Sequence, residues 1–110
     1  MKITEKSFNN IQVITISGRI DVMSANDLEI FLNNTMGNNS RIIFDLSETE
    51  YISSSGLRVF LATLKILTKK NGKMRLASLQ PLIRNILDIS GLSNIFSIHH
   101  SLKEAMDGFD

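Results

Sequence analysis

"RIIFDLSETEYISSSGLRVFLATLKILTKK", residues Arg41 to Lys70, holds two patterns of different period in one continuous stretch. "RIIFDL", Arg41 to Leu46, is an almost unbroken apolar run, as expected of a strand covered on both faces. From Ser55 to Lys70 the period changes. Leu57, Phe60, Leu61, Leu64 and Leu67 recur on one stripe while Arg58, Lys65 and Lys69 face elsewhere, so the spacing predicts an amphipathic helix. Lys69 and Lys70 complement its dipole, and Asn71-Gly72 ends it. A strand, a connection over Ser47 to Ser54, and a helix make half of a βαβ unit.

The same alternation continues in both directions. Upstream, "IQVITIS", Ile11 to Ser17, is rich in β-branched residues and is closed by Gly18, which predicts a strand with Ile3 to Phe8 as an edge partner. A helix follows, with Ser24 at its cap, Asp27 where a capping box places an acid, a stripe of Leu28, Phe31, Leu32 and Met36, and Gly37 as its stop. Downstream, Lys73 to Ser78 reads as a strand. Pro81 opens a helix with Leu82, Ile83, Ile86 and Leu87 on one side and Gly91 past its end, Ile95 to Ile98 reads as a last strand, and Leu102 to Met106 as a closing helix. Strands alternating with amphipathic helices imply right-handed crossovers, so the expected fold is α/β: one domain over residues 1–110, with a mixed, largely parallel β-sheet and amphipathic helices.

Composition narrows the chemistry. With 110 residues and 43% hydrophobic content the chain can build one modest core. A formal net charge of +1 creates no overall field toward nucleic acid or an anionic membrane. There is no cysteine, hence no thiol nucleophile, thiolate metal site or disulfide framework. The first ten residues do not resemble a secretory signal and no apolar run approaches a membrane span, so a cytoplasmic protein is expected. No cofactor is expected, and no metal: Asp21, Glu48 and Glu50 are the only plausible companions for Asp45, which reads as a hydrogen-bonding residue for the loop ahead. His99 and His100, adjacent in an extended segment, would point to opposite faces and chelate poorly. The cluster Lys65, Lys69, Lys70 and Lys73 reads as a solvated helix face rather than a nucleic-acid surface.

Ser53, Ser54 and Ser55 stand where strand gives way to helix, and one hydroxyl would suffice for the cap. The others can fill a tight turn or satisfy further amides. A hydrolase nucleophile would need a base and an elbow motif; the elbow is absent and the only candidate bases, His99 and His100, lie near the end of the chain, so an enzyme is not expected. A phosphate there would meet the positive end of the helix dipole, so the fold could carry the modification while its charge disturbed any docked partner.

"DLSETEYISSSGL", Asp45 to Leu57, resembles the signature of the STAS domain family, particularly the bacterial anti-sigma factor antagonists. "SGRIDVMSANDLE", Ser17 to Glu29, and "NGKMRLASLQPLIRNILDISGLSNIF", Asn71 to Phe96, resemble the family's flanking segments in the right order. The resemblance implies a binding protein that engages an anti-sigma factor serine kinase, is phosphorylated by it with ATP, and is restored by a serine phosphatase, thereby regulating sigma-factor-dependent transcription. In the family the acceptor follows an aspartate and stands two residues before a glycine. Placed by Gly56, the acceptor is Ser54, Ser55 follows it, and Ser53 occupies the aspartate position, which makes Ser53 an alternative acceptor. The implied partner interface comprises Arg19, Asp21, Ser53, Ser55, Gly56, Leu57 and Arg58. The missing aspartate also suits a non-phosphorylated STAS scaffold in stress-sensing, transport or lipid-trafficking complexes.

Overall fold

A computed structural model describes residues 1–37 and 39–109. The elements are β1 (Lys2–Phe8), β2 (Ile11–Ile20), α1 (Val22–Thr35), β3 (Arg41–Asp45), β4 (Thr49–Ile52), α2 (Ser54–Lys69), β5 (Lys73–Ala77), α3 (Pro81–Ile89), β6 (Ser97–His99) and α4 (Leu102–Met106). The sheet runs β1-β2-β3-β5-β6, with β4 attached to β2. β1 is antiparallel to β2 and every other pairing is parallel, as the alternating pattern requires.

Most of the apolar surface is buried on one face, where α1, α2 and α3 cover the sheet. Ile14, Ile16 and Ile20 of β2, Ile42 and Phe44 of β3, and Leu76 of β5 meet Leu28, Leu32, Phe60, Leu67, Ile83 and Leu87 there. At its centre the Phe44 and Phe60 rings pack edge to face with centroids 4.8 Å apart. The opposite face holds a smaller cluster, Ile11, Val13, Ile43 and Ala77 under Ala105 and Phe109. Ile42, Ile43 and Phe44 are therefore all buried, which explains the unbroken apolar run of β3.

Four expectations are corrected. Gly18 does not close β2. It takes φ +93° at a register shift, and the strand continues to Ile20 with a new neighbour. The connection from Ser47 to Ser54 is not a plain loop, because it contains β4, parallel to the last residues of β2. Thr49, fully buried, ties the two together by donating from its hydroxyl to the Ile16 carbonyl at 2.7 Å. Finally, α1 begins before Ser24: Asp21 is its cap and accepts the Ser24 amide at 2.9 Å, while the Ser24 hydroxyl accepts the Asp21 amide at 2.8 Å. Ser24 thus supplies the return half of a capping box rather than its start, and Asp27 has no part in it. The last strand also lies slightly later than expected, at Ser97–His99, because Ile95 and Phe96 turn back onto the Leu92 carbonyl.

Candidate functional site

The split pairing of β2 sets up the site. Ile20 pairs with Ile52, and each strand passes directly into a helix, so Asp21 and Ser53 cap α1 and α2 side by side at one edge of the sheet. The Ser53 amide donates to the Ile20 carbonyl at 2.8 Å and fixes this junction. Two helix N-termini therefore emerge next to one another, each presenting first-turn amides without intrahelical acceptors.

Within the triplet the serines divide their tasks. Ser53 is buried, and its side chain accepts the Gly56 amide at 3.1 Å while its carbonyl accepts the Leu57 amide at 3.0 Å. A serine serves this role as well as an aspartate does, so Ser53 at the aspartate position keeps the cap. Ser54, the first helical residue, is exposed, and Ser55 is half-buried. No acid occupies the first turn of α2.

Gly56 and Leu57 point inward. A Cβ on Gly56 would lie 2.8 Å from an Ile20 methyl and 2.9 Å from an Ile52 methyl, so the glycine lets the first turn of α2 press onto β2 and β4. Leu57 joins the main core. Of the residues assigned to an interface from sequence, Arg19, Asp21 and Arg58 reach the surface and Ser55 partly does, while Ser53, Gly56 and Leu57 position the others. The Arg19 guanidinium stands 4.5 Å from the centre of the Tyr51 ring, its register partner in β4, which holds the arginine beside the two caps. The Asp21 carboxyl is held below the usual carboxylate range, first by the Ser24 amide and then by the Ser24 hydroxyl.

The sequence reading missed Val22 and Met23. They are 68% and 82% exposed on the first turn of α1, an apolar patch beside the caps. The signal was present, since neither residue falls on the stripe of Leu28 and Leu32. Val22 also borders a groove of about 330 Å³ between α1 and α2, together with Glu29, Ser55, Arg58 and Val59. Elsewhere, the Asp45 carboxylate accepts the Ser47 amide at 3.0 Å, a loop role, and Glu48 accepts from the Ser17 hydroxyl at 3.0 Å. His99 and His100, expected to face apart, both border a cavity of about 450 Å³ with Pro81 and Arg84, because His100 lies just beyond the end of β6. Among the described residues no helix is long and apolar enough to cross a membrane.

A parallel sheet that delivers two capped helix tips to one edge, with an exposed hydroxyl on one tip and apolar side chains on the other, defines a small α/β domain built to present a surface. The STAS domain profile matches residues 2–105, and the chain belongs to the STAS domain family. The anti-sigma-B factor antagonist of Bacillus subtilis is 36% identical over 90 residues, covering 82% of this chain and 82% of that protein. BtrV of Bordetella bronchiseptica is 32% identical over 110 residues, covering 99% and 95%. The crystal structure of an anti-sigma factor antagonist from Mycobacterium paratuberculosis superposes with a TM-score of 0.87 at 25% identity, covering 98% and 92%.

Proposed function

We propose that this protein is an anti-sigma factor antagonist: a binding protein that docks an anti-sigma factor serine kinase over the adjoining tips of α1 and α2 and is switched off by phosphorylation of Ser54. The observation that carries the reading is the division within the serine triplet. Ser53 is buried with its hydroxyl oxygen engaged as a cap, whereas the next residue, Ser54, is exposed at the start of a 16-residue helix. Relatives that share a third of the sequence and bear the antagonist name support the same role.

The chemistry is a phosphoryl transfer. The Ser54 oxygen bonds to the terminal phosphorus of ATP, the bond to the departing ADP breaks, and the hydroxyl proton passes to a base on the kinase. Hydrolysis by a serine phosphatase would return the hydroxyl and release inorganic phosphate. The ester places roughly two negative charges at a helix N-terminus, where the dipole and the free amides of Ser54 and Ser55 favour an anion, so the host fold tolerates it. A partner covering the same tip must desolvate those charges, and it leaves. Such a cycle belongs to the cytoplasm, where ATP and sigma factors are found.

The test is to mix the protein with the anti-sigma kinase of the same genome and ATP, and to locate the added phosphate by mass spectrometry. One phosphate on Ser54 is expected, with Ser54→Ala remaining bound in the presence of ATP and Ser54→Asp binding weakly. Retained binding with no phosphate gained would instead indicate a constitutive scaffold.

A further inference from the structure

We propose that Arg58 converts phosphorylation into release: it holds an acidic group of the docked partner while Ser54 is unmodified and folds back onto the phosphate afterwards. This rests on the reading of Ser54 as the acceptor and concerns how the charge acts once present.

Ser54 and Arg58 are four residues apart on α2 and both are exposed. One turn of helix therefore separates them on the same side, with the acceptor N-terminal, the order in which an anion and a cation at this spacing attract best. Among the described residues of the unmodified protein, Arg58 has no anionic partner. Among the described residues its guanidinium makes no hydrogen bond and the one salt bridge is Arg84–Asp88. Glu29, which borders the same α1–α2 groove, is not bonded to it, and α2 contains no Asp or Glu anywhere along its length.

An uncommitted guanidinium at the rim of that groove, flanked by exposed Val22 and followed along α2 by Lys65 and Lys69, matches a partner that seats a carboxylate over the first turn of α2. Its fork geometry suits both a carboxylate and a phosphate. A phosphate on Ser54 is tethered within one turn, so its effective concentration at Arg58 exceeds that of any carboxylate arriving on another molecule. The same event withdraws Arg58 from the partner's acid and confronts that acid with a dianion. Loss of binding then needs no change in the backbone.

Phosphoserine is installed at position 54 during translation, without a kinase, and the second ionisation of the phosphate is followed by phosphorus NMR in the otherwise native chain and in Arg58→Gln. Arg19 of β2, Asp21 at the cap of α1 and Glu29 of α1 are the same in both proteins, so the difference isolates Arg58. The expected result is a phosphate pKa lower by about half a unit when Arg58 is present. Equal values in the two proteins would overturn capture of the phosphate. For the unmodified chain, Arg58→Gln should bind the same anti-sigma kinase about tenfold more weakly, with Arg58→Lys in between. Undiminished affinity would overturn the partner contact. If the kinase left Ser54 of the native chain unmodified, the acceptor reading would fail, and the phosphorus titration would still give its own answer.

Discussion

The side chain of Ser53 accepts the backbone amide of Gly56 at 3.1 Å, and this single contact decides which of three adjacent hydroxyls is left for other chemistry. It ties the residue before Ser54 to the residue two after it, so the exposed serine sits on a fixed turn rather than a loose loop. Ser53→Ala should therefore destabilise the fold by about 1 kcal/mol, the usual cost of a lost N-cap, while Ser53→Asp should cost little. Urea denaturation of the two variants checks this. Equal losses would mean that the cap contributes nothing particular.

Gly56 presents a conflict between local and tertiary preference. Alanine is favoured over glycine inside a helix by about 1 kcal/mol. Here the added methyl would meet Ile20 and Ile52 at under 3 Å. Gly56→Ala should thus lower stability, by about 1–3 kcal/mol, with α2 pushed outward and partner binding weakened as well. A stabilised variant would refute the close approach.

Phe60 is 1% exposed and meets Phe44 edge to face. Truncation to alanine should cost about 3–5 kcal/mol, and Phe60→Leu much less, because most of the volume is kept. Thermal or denaturant midpoints distinguish the two.

His99 gives the fold a pH dependence of known sign. Burial, and then the nearby Arg75 charge, lower its pKa below the ordinary 6.5, against a smaller opposing effect of Glu104. Because the folded value lies below the unfolded one, the unfolded chain binds more protons in between, and stability is lost as pH falls from about 6.5 toward the folded pKa. Denaturation at pH 7.5 and 5.5 should show this loss, and His99→Gln should reduce it. A pH-independent difference between the two proteins would contradict the assignment.

Much of this architecture was legible because each helix carries its own period and each buried strand its own apolar run. Arg41 to Leu46 and Ser55 to Lys70 needed no knowledge of the rest of the chain, and the structure finds them within a residue, at Arg41–Asp45 and Ser54–Lys69. β4 was not legible. "TEYI" is short and mostly polar, and it becomes a strand only because the tail of β2, some thirty residues earlier, offers it a ladder. The cap of α1 was misplaced for a related reason: Asp21 and Ser24 are both good caps, and only the geometry of the β2 exit selects between them. For the site, the serine triplet marked the right turn. The helical stripe already set Leu57 apart from Arg58, but the sequence did not separate the inward Ser53 from the outward Ser54, since that distinction depends on how α2 rolls against Ile20 and Ile52.

Among the described residues β4 is joined to the sheet along one side alone, by the last three residues of β2. Its amide protons should consequently trade with deuterated solvent sooner than those of β3, which is bonded on both flanks. The strand that leads into the serine triplet can then open without disturbing the aromatic centre. A modifying enzyme would then meet an acceptor on a fixed helical turn, reached through a strand that opens more readily than the scaffold behind it.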